Sequence, residues 1–251
     1  MKKISVTLLM LLVIFFAVAV FADDNLSKAT DIVRRSSEMF ERTSKSIKPE
    51  KLASNVREHV STSYGFTSGS SEVQNTFFGL GVAIADAEAA LRSGSTEKSQ
   101  IAINSLERLT RQFKAPQSFI ESSKALRNAI DQGVSTIAVN KAGLQALRPF
   151  LEEEAEKNRM TNYLRLGEWA EAAKLVLMIA REEENNALAR DFIKEFNYAG
   201  HFLSEKDMEH LPPSVINALK EIKDIGEGKD MDDKDLRKGL KALDDIIELM
   251  G

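Results

Sequence analysis

Residues 168–184 read Glu168-Trp169-Ala170-Glu171-Ala172-Ala173-Lys174-Leu175-Val176-Leu177-Met178-Ile179-Ala180-Arg181-Glu182-Glu183-Glu184. Trp169, Ala172, Ala173, Val176 and Ile179 share one face at helical spacing, while Leu175, Leu177 and Met178 fall on others. A helix that is apolar most of the way round must have neighbours on several sides. This stretch therefore predicts the central rod of a helical core, and the rest of the chain has to supply its neighbours.

Toward the C-terminus, Leu188, Phe192, Phe196, Ala199 and Leu203 make a stripe at steps of four, four, three and four. Pro212-Pro213 opens a helix with Val215, Leu219 and Ile222 inward. The last helix, Asp233–Met250, turns Leu236, Leu240, Leu243, Ile247 and Met250 inward, and Asp232 and Asp233 suit the dipole at its start. Toward the N-terminus, a helix is expected from Lys141 to Leu166, kinked or split at Pro149. Another begins near Pro116, carries Phe119, Ile120, Leu126 and Ile130, and meets Gly133. A helix capped by Ser95 or Thr96 buries Ala102, Leu106, Leu109 and Phe113 and breaks at Ala115-Pro116. Ser71 and Gln74 stand in capping-box spacing and open a helix that stops at Gly94. Gly79-Leu80-Gly81 lies within that apolar helix, which points to close packing rather than a nucleotide loop. The expected fold is all-α: eight to ten helices in a bundle or a stack of helical hairpins.

The N-terminus reads differently. Lys2 and Lys3 lead into an apolar run that ends at Val20-Phe21-Ala22, with Asp23-Asp24 following. That is the pattern of a bacterial-type secretory signal cut between Ala22 and Asp23, and it predicts a periplasmic or secreted protein. The alternative is an uncleaved inner-membrane anchor with the rest facing the periplasm, because Ile4 to Ala22 nearly suffices to span a bilayer. Residues 23–60 form an expected helical arm. Its first helix, Leu26–Lys48, has a thin stripe of Leu26, Val33, Phe40 and Ile47 and so needs a partner surface. Pro49 then starts a short helix with Leu52, Val56 and Val60. Residues 61–70 are Ser/Gly-rich and read equally as a linker or a surface loop, and residues 71–251 form the body.

Cysteine is absent, so disulfides and a lipid anchor at the cut site are excluded and the fold must stand on its core. The chain carries 34 basic and 38 acidic side chains, and this mild acidity without a basic cluster argues against nucleic acid. A membrane role is expected only through the N-terminal segment, if uncleaved; oligomeric state is open.

Two patterns suggest internal order. Leu91-Arg92-Ser93-Gly94 and Leu164-Arg165-Leu166-Gly167 lie 73 residues apart, as do Phe119-Ile120 and Phe192-Ile193. The shared offset suggests a duplicated unit in which a helix ends at the glycine, a second crosses, and Phe-Ile opens the third. Within the second copy, Tyr163, Gly167, Glu168, Trp169, Glu171 and Ala172 occupy an aromatic, glycine, acidic, aromatic, acidic and alanine pattern. Tyr163–Asn186 thereby resembles one half of a tetratricopeptide-type helical hairpin. That resemblance implies stacked helix pairs with a concave peptide-binding face. Ile179 and Glu184 depart from the family pattern, and no copy follows at its usual period.

Reactive constellations were sought among the remaining residues. The histidines are His59, His201 and His210, and they form neither a paired Glu-x-x-His set nor a His-Glu-x-x-His motif. The acidic run from Asp230 places Lys234, Asp235 and Lys241 where a calcium loop needs a ligand, a glycine and a glutamate. Glu152–Glu154 and Glu182–Glu184 read as solvated helix faces. No nucleophile elbow occurs. The expectation is therefore no enzyme, no metal and no cofactor. The leading functional expectation is an exported helical protein that binds a protein or peptide partner in the cell envelope. The alternative is a periplasmic carrier or sensor of a small apolar ligand held between helices, and the third is an enzyme without recognisable motifs. Tyr163, Trp169, Phe196 and Tyr198 are the candidate binding groove.

Overall fold

A computed structural model describes residues 33–43, 46–54, 56, 72–112, 117–228 and 231–250. The signal-like segment with its Ala22–Asp23 junction, the first part of the arm, the 61–70 stretch and His59 lie outside the described residues.

The described chain is all-helical, with nine helices of seven residues or more and no strand. In order, α1 is Ser36–Thr43, α2 Pro49–Ser54, α3 Glu72–Ser93, α4 Thr96–Gln112 and α5 Gln117–Asp131. After α6, Thr136–Val139, comes a π turn, Asn140–Leu144, and then α7, Gln145–Lys157. The rest is α8, Thr161–Glu182; α9, Asn186–Glu195; α10, Ala199–Ser204; α11, Pro213–Glu227; and α12, Asp233–Met250.

The expected central rod is α8. Trp169, Leu175, Val176, Leu177 and Ile179 are all fully buried, and from Leu166 to Ala180 every residue but Met178 is buried. The neighbours of α8 are α3, α12, α9, α1, α7 and α2. The closest of these is α3. A Cβ added at Gly81 would stand 2.0 Å from the Leu164 carbonyl oxygen, and one at Gly167 would stand 2.1 Å from the Phe78 carbonyl oxygen. The two backbones therefore touch, each through a glycine, and any side chain at either point would hold them apart. The predicted close packing at Gly81 is met, by a glycine on α8 that the sequence reading had placed at a helix end.

That placement is corrected here. Gly167 lies inside α8, whereas Gly94 adopts φ +80° and does end α3. Phe119 opens α5, but Phe192 lies within α9, and the stretch corresponding to α4 is the second half of α8. The 73-residue offset therefore does not superimpose element on element. Tyr163–Glu182 is one continuous stretch of α8, with no turn at Gly167. The chain reverses only at Glu183–Asn185.

Other boundaries shift for physical reasons. The helix expected from Lys141 to Leu166 begins earlier, at Thr136, and breaks at Asn158–Met160 rather than at Pro149. Pro149 sits early in α7; it cannot donate to the Gln145 carbonyl, and the π turn directly upstream takes up the irregularity. The stripe from Leu188 to Leu203 is two short helices, because Trp169 Nε1–H donates to the Phe196 carbonyl at 2.8 Å and draws it out of the helical ladder. In the arm, only Ser36–Thr43 of the expected Leu26–Lys48 helix is helical among the described residues. Val33 lies in a bend, yet Val33, Phe40 and Ile47 are all buried as the stripe required.

Two helix ends are strained. After α7, Arg159 adopts φ +60° while Met160 N–H donates to Ala155 O and Arg159 N–H to Glu156 O. After α8, Glu184 adopts φ +52° with the equivalent bonds from Asn185 and Glu184. Both are Schellman ends that lack the usual glycine.

Two sets of variants follow. Gly81→Ala and Gly167→Ala meet backbone atoms that cannot move aside, and each should cost about 3 kcal/mol or more in urea unfolding. Glu184→Gly and Arg159→Gly relieve left-handed strain, and each should gain up to about 1 kcal/mol, seen as a raised Tm.

Candidate functional site

The residue after the glycine contact is Glu168, so the α3–α8 crossing fixes where its carboxylate stands. It is buried, and it meets Arg148 from α7. Arg148 Nη1 lies 2.9 Å from Oε2 and Nη2 lies 2.8 Å from Oε1, a two-pronged ion pair. The same Oε1 accepts from the Ser36 backbone N–H at 2.7 Å and from Ser36 Oγ–H at 2.6 Å. Ser36 is the first residue of α1, so a carboxylate from another helix caps α1 and meets the positive end of its dipole.

Burial alone would push Glu168 up, but the Arg148 charge and the hydrogen bonds from Arg148 and Ser36 hold its carboxyl below the usual range. Burial likewise opposes the charge on Arg148, and Glu168 followed by Glu152 and Glu88 raise it above the ordinary arginine value. The pair is therefore ionised in the folded chain. Glu152, one turn along α7 from Arg148, is pushed up by burial despite Arg35 at 2.9 Å.

A second buried acid stands beside this pair. Glu88 of α3 accepts from Asn140 Nδ2 at 2.9 Å, from Gln145 Nε2 at 3.0 Å and from Arg92 Nε at 2.5 Å. The π turn makes the first two contacts compatible. Its i→i+5 bonding places residues five apart on nearly one face, which an α-helix would not do. Arg92 extends the network to the arm by donating from Nη2 to the Ser37 carbonyl at 3.0 Å.

The arm is held at further points. Lys98 Nζ donates to the Val56 carbonyl at 3.0 Å, Lys51 Nζ stands 2.6 Å from Glu183 Oε1, and Arg42 Nη1 stands 3.3 Å from Glu195 Oε1. Met39, Phe40, Leu52 and Val56 fill the space beneath. The described arm residues, 33–43, 46–54 and 56, thus lie in a channel over α3, α7, α8 and α9. Its floor is a buried ion pair and its rim is Glu152, Glu183 and Glu195.

The four residues expected to line a groove are placed otherwise. Tyr163, Trp169 and Phe196 are buried in the interior, and Tyr198 is half-buried at its edge. Tyr163 Oη accepts from Gln74 Nε2 at 2.8 Å and donates to the Asp207 carbonyl at 3.2 Å. Trp169 packs on Phe202, and Phe196 on Phe192 and Tyr198. They serve as core, and the channel lies elsewhere. His201 Nδ1 is 3.5 Å from Glu205 Oε1, and His210 is exposed. Among the described residues no three acidic or histidine side chains converge to hold a metal, and no helix is long and apolar enough to cross a membrane. A surface cleft of about 490 Å³ between α11 and α12 is lined by charges of both signs, including Lys220, Asp224 and Lys238.

The sequence reading missed Arg148, Glu168 and Glu88, and it read Glu152 and Glu183 as solvent-facing. One signal was available. Glu168 follows a glycine in a stretch whose apolar residues point all round the helix, and a charge there, like Glu171 and Lys174 beyond it, requires a partner when the helix is buried. Compared with known protein families, curated proteins and solved structures, the chain matches none.

Breaking the ion pair from either side should be costly. Arg148→Met and Glu168→Gln each strand a buried polar partner and should lose about 3–5 kcal/mol, while the double variant should lose clearly less than the sum. The pH dependence has a definite sign. Glu168 is depressed on folding, so its contribution is present above the usual carboxylate range and drains away as pH falls through its folded value. Glu152 is raised and acts oppositely, its contribution fading as pH rises. Stability measured from pH 6 to pH 2 should therefore fall less steeply in Glu168→Gln than in the parent.

Proposed function

We propose that this is an exported, non-enzymatic helical protein that holds a protein or peptide partner in the cell envelope. The observation that carries the reading is the channel filled by residues 33–56. There, side chains of α3, α4 and α8 grip main-chain groups of a short helical segment while acidic side chains ring the edge. An amphipathic helical segment that lays apolar anchors such as Met39 and Phe40 into a groove is a recurring mode of peptide recognition. The signal-like Met1–Ala22 supports the address, with cleavage after Ala22 and the mature chain starting at Asp23.

Expression of the full chain in a bacterial host tests the export half. The expected product is released by osmotic shock with Asp23 as its first residue. A cytosolic product that retains Met1–Ala22 would refute it. A photocrosslinking residue at position 195, on the rim of the channel, installed in the native host, tests the partner half. The expected outcome is a discrete adduct whose second component mass spectrometry identifies, and exclusively self-crosslinked chain counts against it.

A further inference from the structure

The partner's chemistry can be named from the charge of the channel and of the segment that fills it, an inference that rests on the partner-binding reading above. Between Val33 and Val56 the chain has six basic and three acidic side chains, whereas from Glu72 to the C-terminus it has 24 basic and 31 acidic. A segment of charge +3 thus lies on a body of charge −7. The opposition is local as well as global. Arg35 pairs with Glu152, Arg42 with Glu195 and Lys51 with Glu183, the acids coming from α7, α9 and the end of α8.

The floor selects in a different way. Glu168 takes the Ser36 N–H, Arg92 reaches the Ser37 carbonyl and Lys98 reaches the Val56 carbonyl. These contacts read backbone, so they accept any sequence able to start a helix at that point; Ser36 Oγ adds a preference for a small hydroxyl residue. Apolar contact comes from Met39 and Phe40, three and four residues on, which enter the core. With eight and six residues, α1 and α2 are far shorter than helices that persist alone, so the segment takes its shape from the channel.

We propose that residues 33–56 are an exchangeable occupant of this channel, and that the channel takes a basic, amphipathic segment of a partner protein. The matching segment begins a helix with a small hydroxyl residue. It carries two large apolar side chains three and four positions later and an arginine or lysine at the sixth. When it enters, the chain's own segment leaves.

The test uses the full chain with a protease recognition site placed between residues 61 and 70, purified folded and then cleaved in solution. The probe is a fluorescein-labelled peptide of residues 33–56. Uptake by the cleaved chain, seen as a rise in anisotropy that unlabelled peptide reverses, is the expected result. A peptide with Arg35, Arg42 and Lys51 changed to Glu should compete about ten-fold or more worse. Absence of uptake over a day, uptake indifferent to the charge reversal, or loss of helical circular dichroism on cleavage would overturn the proposal. So would a stable dimer of the uncut chain that exchanges the segment between copies, since the occupant would then be a second copy. Export and capture at another surface would survive each of these failures, whereas cytosolic retention would sink only the export half of the earlier reading and leave this one standing.

Discussion

Two glycines that face each other set the geometry of the molecule. With Gly81 and Gly167 in register, α3 and α8 approach until carbonyl oxygens of one helix lie where side chains of the other would begin. Neighbouring helices normally pack 8–10 Å apart because side chains separate them. Here the separation is removed at one point, and the long apolar faces on either side of it close onto each other. Phe77, Phe78, Leu80 and Ile84 of α3 and Leu166, Trp169 and Ala170 of α8 are all essentially inaccessible to solvent. The remaining helices wrap this pair.

The crossing also explains why charge is tolerated in the interior. Glu168 follows Gly167 directly and is carried inward with it. A lone buried carboxylate would be prohibitively unfavourable, so the surrounding structure supplies Arg148, the Ser36 hydroxyl and the start of α1. An apolar pair of the same size could be equally stable. What the ion pair adds is direction: it fixes where α1 begins, because there the Ser36 N–H faces the carboxylate. Glu88 repeats the arrangement on α3, with the π turn bringing Asn140 and Gln145 to it together.

Much of the architecture was legible because it rests on periodicity. The stripes of α4, α11 and α12 and the all-round burial of α8 are written at steps of three and four, and burial follows them. Stop signals read well where glycine adopts a positive φ, as at Gly94, and badly where it serves contact between helices, as at Gly167. A glycine looks identical in both uses; only the partner helix distinguishes them. The aromatic concentration from Tyr163 to Phe202 read as a groove because aromatics suit both a cavity wall and a filled core. The polar site was illegible for a simpler reason: Ser36, Glu88, Arg148 and Glu168 are scattered along the chain, and nothing local links them.

That scattering has a kinetic consequence. Ser36 and Glu168 are 132 residues apart in sequence. During synthesis from the N-terminus, Ser36 and Arg42 emerge long before Glu168 and Glu195, the groups that hold them. Loops this long close slowly, and contacts of high sequence separation form late in folding. Until then the core that Met39 and Phe40 enter in the folded chain is incomplete, because α8 has yet to be made.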